Sequence, residues 1–286
     1  MNRLLLATLF ITSCATAEEI PMSTKKTGYA PVNGLSLYYE IHGSGDPLIL
    51  LHGGIGSVES WGANIEALAK TRQVIGVDLQ AHGRTADIDR PMTHEAMADD
   101  IGALVAHLGL AQVDVMGYSL GGGVAIQTAL RHRDRVRKLV VVSTPFARSA
   151  SYPSGIAAFD ALGSALADAM KPSPEYQRYQ KIAPRPQDFP RMLDKLGALA
   201  RMDYDWTADA ARLPPTLFVG ADADYYRPSH VVEVYAKLGG GLNDPGWDGS
   251  GGRSASRLAI IPGTSHYDIL SSPLVVAVVE PWLATR

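Results

Sequence analysis

Val113-Asp114-Val115-Met116-Gly117-Tyr118-Ser119-Leu120-Gly121 is the stretch from which the rest of the chain can be read. Its first four residues read as a strand, and from Leu120 onward the pattern is that of a helix. Between the two lies Gly-x-Ser-x-Gly, with Ser119 at the turn. A serine on a sharp strand-to-helix turn has strained backbone dihedrals. Its neighbours two positions away must lack a bulky side chain, which accounts for glycine at 117 and 121. The arrangement is that of a nucleophile elbow, and its strand-turn-helix context carries far more weight than the bare pattern.

Outward from this turn, short β-rich runs alternate with helical stretches. Leu35 to His42, Leu48 to Leu51, Gln73 to Val77, Lys138 to Val142, Thr216 to Val219 and Arg257 to Ile261 read as further strands, each bounded by Gly, Pro, Asp or Asn. Helices fit Glu59 to Lys70, His94 to Leu108, Leu120 to His132, Ser229 to Lys237 and Leu274 to Ala284. Such alternation argues for an α/β class, a mostly parallel sheet with helices on both faces. Residues 27–286 are expected to form one such domain. Over about 145–214 the pattern changes: Pro153, Pro172, Pro174, Pro184, Pro186 and Pro190 cut the chain into short helices and no strand is apparent, so this stretch reads as an inserted helical lid. The Gly-rich stretch from Gly239 to Gly252 reads as a surface loop.

A serine hydroxyl is a poor nucleophile until a base takes its proton, so a histidine held by a carboxylate is required near Ser119. His266 follows the last expected strand and therefore emerges at the same carboxyl-end edge of the sheet as Ser119, which makes it the candidate base. His94 reads as a surface helix residue. For the acid, the turn after Thr216 to Val219 offers Asp222 and Asp224. A tetrahedral intermediate needs preorganised N–H donors for its oxygen. One is expected from Leu120, where the helix N-terminus adds its dipole. The other is expected from Gly54, in the turn His52-Gly53-Gly54-Ile55-Gly56. Trp61, Tyr118, Phe146 and Tyr225 are candidates to line an apolar substrate pocket, with Tyr152, Trp206 and Tyr226 as further aromatics able to contribute.

His52-Gly53-Gly54, Asp78-Leu79-Gln80-Ala81-His82-Gly83-Arg84-Thr85, Gly117 to Gly121, the Asp224 turn and His266 together resemble the α/β-hydrolase superfamily across residues 27 to 286. The resemblance implies a core of about eight strands, no metal or organic cofactor, and acyl transfer through a serine ester. In this fold the acid tends to stand four residues before a proline, and Asp224 precedes Pro228 by four, so the resemblance favours Asp224 and leaves Asp222 as a loop-capping residue. Ser119, Asp224, His266 is also the chain order that the family implies. Ala81 departs from the family's Asp-x-x-Gly-His-Gly-x-Ser pattern, which has glycine there, and Thr85 replaces its serine.

Within the superfamily, dehalogenases and epoxide hydrolases use a carboxylate where this chain has Ser119. The reading is therefore a serine hydrolase acting on a carboxylic ester of a small molecule, in the manner of a carboxylesterase. Lactonase, peptidase, perhydrolase and carbon–carbon hydrolase activities share the same triad, and a non-catalytic receptor would be expected to lack one of its members.

Composition agrees with a folded, non-nucleic-acid protein. Of 286 residues, 46% are hydrophobic and 19% charged, and 26 Lys+Arg against 29 Asp+Glu give a net charge of −3, so no basic field is present to attract nucleic acid. A single cysteine, Cys14, excludes disulfide frameworks and Cys-based zinc sites. Arg3 precedes the apolar run Leu4 to Ile11, too short to span a bilayer but suited to an export signal over residues 1–17. Ala15-Thr16-Ala17 fits a signal-peptidase site, giving a periplasmic or secreted protein. Ile11-Thr12-Ser13-Cys14 instead resembles a lipobox, giving a lipoprotein anchored through Cys14. No later stretch reaches spanning length.

Overall fold

The computed structural model describes residues 25–285, so the export-signal stretch and Cys14 lie outside the described residues. Eight strands form one sheet: β1 (Lys26–Val32), β2 (Leu35–His42), β3 (Asp46–Leu51), β4 (Arg72–Val77), β5 (Val113–Tyr118), β6 (Val136–Val142), β7 (Thr216–Ala223) and β8 (Arg257–Ser265). Their spatial order is β1-β2-β4-β3-β5-β6-β7-β8. The pairs β1–β2 and β2–β4 are antiparallel and every other neighbouring pair is parallel.

The sequence pattern did not disclose β1. Gly28 and Pro31 weaken its β signal; Pro31 is tolerable because β1 is the outermost strand, where a missing amide donor costs no ladder bond, and Gly28 leaves room for the Tyr39 ring. Its turn into β2 is Asn33-Gly34, at φ 47° and 84°, the two left-handed residues a tight hairpin needs.

Side chains alternate across the sheet, as period two requires. Ile49, Leu51, Ile75 and Val115 join one core with α2 (His94–His107), α3 (Leu120–Arg131) and α8 (Pro228–Lys237). Leu48, Leu50, Val74 and Met116 join a second core on the opposite face, against α1 (Ala63–Ala69) and α9 (Leu274–Leu283). The helix expected over Glu59 to Lys70 is broken at Gly62, whose φ of 50° separates a 3₁₀ turn, Val58–Trp61, from α1.

Between β6 and β7 the chain forms α4 (Pro153–Asp160), α5 (Ala167–Met170), α6 (Pro174–Ile182) and α7 (Phe189–Ala200). Pro153 and Pro174 occupy the first helical position, where the missing N–H has no intrahelical partner to lose. α7 buries Phe189, Met192, Leu193, Leu196 and Leu199 along one stripe. On its other face Lys195 reaches Asp87 at 2.7 Å and the carbonyls of Ile88 and Arg90, tying this segment to the loop after β4.

Four non-glycine residues with positive φ lie just beyond four adjacent parallel strands: Ile55 after β3, Ala81 after β4, Ser119 after β5 and Ser143 after β6. The carboxyl edge of the sheet is thus where backbone strain is concentrated.

Candidate active site

Ser119, Asp224 and His266 are each the first residue after a strand: β5, β7 and β8 respectively. Since these strands are parallel, all three side chains come to one edge. Ser119 caps α3 at φ 54° and ψ −119°. A Cβ on Gly117 would lie 2.0 Å from the carbonyl oxygen of Gly121, and one on Gly121 would lie 2.2 Å from that of Leu51, so the close approach of turn and strand excludes any side chain at either position.

The Ser119 hydroxyl lies 3.0 Å from Nε2 of His266, and Nδ1 of His266 lies 3.1 Å from Oδ1 of Asp224. With Nδ1–H donating to the carboxylate, Nε2 is left as acceptor for the serine O–H. Asp224 also accepts from the amide of Tyr225 at 2.9 Å. His266 and Asp224 are buried. Asp222, the alternative acid, points elsewhere: its carboxylate accepts from the amides of Gly263 and Thr264 at 2.8 and 3.1 Å, bracing the turn that leads to His266.

Three tyrosines enclose the imidazole. Tyr118 stacks on it at 5.2 Å and 27°, while Tyr225 and Tyr267 meet it edge-on at 4.6 and 5.3 Å. The Tyr118 hydroxyl donates to the carbonyl of His266 at 2.6 Å, and burial beside Asp224 raises its pKa above the ordinary phenol value.

Among the described residues no acceptor takes the amides of Gly54 or Leu120, and both residues line the same cavity as Ser119. The turn carrying Gly54 is held by His52. Its Nδ1–H donates to the carbonyl of Gly53 at 2.7 Å, and its Nε2 accepts from the amide of Leu79 at 3.1 Å. Complete burial, with His82 alongside, drops the His52 pKa to about 3, so the ring is neutral and its tautomer fixed.

The cavity of about 630 Å³ opens above Ser119, between the sheet edge and the helices that follow β6. That volume suits a small organic molecule. Tyr118 and Tyr225 line it. Trp61 and Phe146 do not. Trp61 is 1% exposed and packs beneath the sheet with Leu48 and Leu50, because the 3₁₀ turn directs it inward. Phe146 is 2% exposed and lies edge-on to Phe218, its amide bonded to Nε2 of His230. Of the other aromatics, Trp206 lines the cavity, whereas Tyr152 and Tyr226 do not.

His94 corrects a second expectation. It opens α2, but its ring contacts Tyr204 and Trp206 at 5.9 and 5.1 Å and forms part of the cavity wall. Burial there lowers its pKa to about 4. His94, Tyr204, Phe159, Leu196 and Arg178 are wall residues that the sequence did not disclose. The amphipathic stripe of α7 could have revealed Leu196, but no local pattern marks the others.

Among the described residues, no group of three or more His, Cys, Asp or Glu side chains is placed to hold a metal ion, and no helix is long and apolar enough to cross a membrane.

A family model described as alpha/beta hydrolase fold matches residues 46–273. A soluble epoxide hydrolase of Corynebacterium sp. strain C12 is 42% identical over 125 residues, which cover 42% of this chain and 43% of that enzyme. The curated relatives considered with it are likewise matched over less than half of their own length. Among solved structures, an α/β hydrolase from a Medee basin deep-sea metagenome library superposes with a TM-score of 0.71 at 20% identity, covering 91% of this chain and 98% of that one. The enol-lactonase of Burkholderia xenovorans LB400 gives 0.65 at 22% identity, covering 90% of this chain and all of the other. At such identities these two structures speak for the fold alone.

Proposed function

The chain belongs to the α/β-hydrolase family, and from that premise we propose that it is a serine hydrolase cleaving carboxylic esters, with Ser119 as nucleophile, His266 as general base and Asp224 as the carboxylate that orients it. The observation carrying this reading is the unbroken hydrogen-bonded line from Ser119 Oγ through His266 to Asp224.

The steps follow from the geometry. Nε2 of His266 takes the hydroxyl proton as Ser119 Oγ attacks the ester carbonyl, and Asp224 stabilises the imidazolium that forms. The oxygen that becomes negative is met by the amides of Gly54 and Leu120, which have no acceptor of their own, and by the positive end of α3. Collapse expels the alcohol, protonated by His266, and leaves Ser119 acylated. Water, deprotonated by the same nitrogen, then hydrolyses that ester. The helices between β6 and β7 serve as the lid that excludes bulk water from the cavity.

Ser119 argues against epoxide opening. A serine oxygen that attacked an epoxide carbon would form an ether, which has no carbonyl for water to attack, and the enzyme would be alkylated irreversibly. A carbonyl substrate avoids that dead end.

Action outside the cytoplasm belongs to the same proposal and rests on the signal-like residues 1–17, with Cys14 as the point of lipid attachment in the lipoprotein form.

The deciding experiment is labelling with a fluorophosphonate, followed by peptide mapping, alongside turnover of 4-nitrophenyl esters. Stoichiometric modification of Ser119 and loss of turnover are expected. Labelling at another residue, or turnover that survives labelling, would sink the assignment.

A further inference from the structure

We propose that the substrate carries a carboxylate besides its scissile ester, and that Arg178 anchors it. This deepens the serine-hydrolase reading and rests on it.

Arg178 sits on α6 and forms part of the wall of the cavity that contains Ser119 and His266. Among the described residues its one hydrogen bond is a long one, 3.4 Å from Nη1 to the hydroxyl oxygen of Ser60. Among the described residues no carboxylate lies within ion-pair distance of it. The second arginine of the wall, Arg148, is already engaged by Asp160 and by the carbonyl of Ala200. Glu175, one turn earlier on α6, also lines the cavity, but it makes no ion pair with Arg178 or with any other described cation.

The position of this charge limits what it can do. Its contact with Ser60, whose hydroxyl lies 3.0 Å from where a Cβ on Gly56 would stand, sets Arg178 towards the Gly53–Gly56 side of the cavity. The same wall includes the apolar side chains of Leu196, Ile156 and Phe159. A half-buried guanidinium on the cavity wall, with four of its five N–H groups unused within the described protein, is the group best suited to bind a carboxylate in bidentate fashion. The ligand that fits all of this has an ester at one end, a short hydrocarbon span, and a carboxylate at the other. Half-esters of dicarboxylic acids and lactones bearing an acid side chain are the corresponding classes.

The test uses three 4-nitrophenyl esters of equal chain length, ending in methyl, carboxylate or trimethylammonium, with the wild-type protein, Arg178→Met and Arg178→Lys. Wild type is expected to show the highest kcat/KM on the carboxylate-ended ester. Arg178→Met is expected to reduce the ratio of kcat/KM for the carboxylate ester to that for the methyl ester by about ten- to a hundredfold, and Arg178→Lys to restore part of it. Preference for the cationic ester would assign the wall to Glu175 and overturn the proposal. An equal fall on the carboxylate and methyl esters with Arg178→Met would also overturn it, because Arg178 would then act on the reacting carbonyl or on packing. If wild type hydrolysed none of the three, the serine-hydrolase reading itself would have failed. Calorimetric binding of adipate to Ser119→Ala, expected to be lost in Ser119→Ala/Arg178→Met, keeps the two failures distinct: no adipate binding would reject the anchor on its own account.

Discussion

Tyr118 precedes Ser119 in the chain, yet its hydroxyl holds the backbone carbonyl of His266 at 2.6 Å while its ring lies against the imidazole. One side chain thus spans from the turn carrying the nucleophile to the turn carrying the base, across the two intervening strands β6 and β7. Tyr118→Phe removes the bond and keeps the stacking. It is expected to lower kcat about three- to tenfold, the effect of one hydrogen bond, with KM little changed. Measured per fluorophosphonate-titrated site, an unaltered kcat would show that Tyr118 contributes packing only.

Ser119→Ala and His266→Ala should each reduce ester turnover by about 10⁶-fold, and the double variant should be no worse, because nucleophile and base act as a unit. Steady-state kinetics of the three proteins decide the point. Multiplicative losses would remove His266 from the role of base.

Asp224→Asn is expected to lower kcat by about 10⁴-fold, since the imidazole loses the partner that fixes its tautomer and stabilises its charged form. Asp222→Asn weakens two backbone bonds at Gly263 and Thr264 and should cost about 1 kcal/mol of stability, with a far smaller effect on kcat. Reversed phenotypes in kinetics and denaturation would exchange the two roles.

Ala81 has φ 65°, a left-handed conformation that glycine adopts without penalty. Ala81→Gly should therefore stabilise the protein by about 0.5–1 kcal/mol, visible as a rise in the midpoint of urea unfolding. A fall in the midpoint would mean that burial of the Ala81 methyl outweighs the strain.

Acid should destabilise the protein between about pH 6.5 and pH 4. His52 and His82 are buried with pKa values of about 3 and about 4, and His94 in the cavity wall is lowered to about 4, so in that range the unfolded chain binds protons that the folded one refuses. Stability lost on acidification should amount to several kcal/mol at most. Asp78 acts in the opposite sense: burial raises its pKa to about 6, so the folded state holds a proton that the unfolded chain gives up above about pH 4. The three histidines outweigh it. Urea midpoints at pH 7 and pH 5 test the sign, and His82→Gln should flatten the dependence.

Much of this architecture is written locally. The strand-turn-helix around Ser119 and the short apolar runs of β3 to β8 depend on neighbouring residues alone, and β5, β7 and β8 carry Ser119, Asp224 and His266 to one edge. What escaped notice depends on distant partners. β1 pairs in the sheet with β2 alone, and its Ala30 and Val32 are fixed by the core they share with α2. His94 is drawn into the cavity by Tyr204 and Trp206, more than a hundred residues away. Trp61 and Phe146 are large aromatics near the turns in question, and only the three-dimensional packing reveals that both face a core. Nothing near Arg178 in the sequence announces that it lacks a carboxylate.

The strained residues Ile55, Ala81, Ser119 and Ser143 have a consequence for the history of this chain and for attempts to improve it. Each holds a conformation that glycine would relax, so heat-tolerance screens would reward glycine at these sites while leaving the sheet intact. Relaxation at Ile55 would loosen the turn that carries Gly54, and substitution at Ser119 would delete the nucleophile. Selection for ruggedness and selection for turnover therefore pull in opposite directions at the same few positions. A thermostable descendant that keeps its turnover should therefore leave Ile55 and Ser119 as they are and gather its beneficial changes elsewhere, Ala81 included.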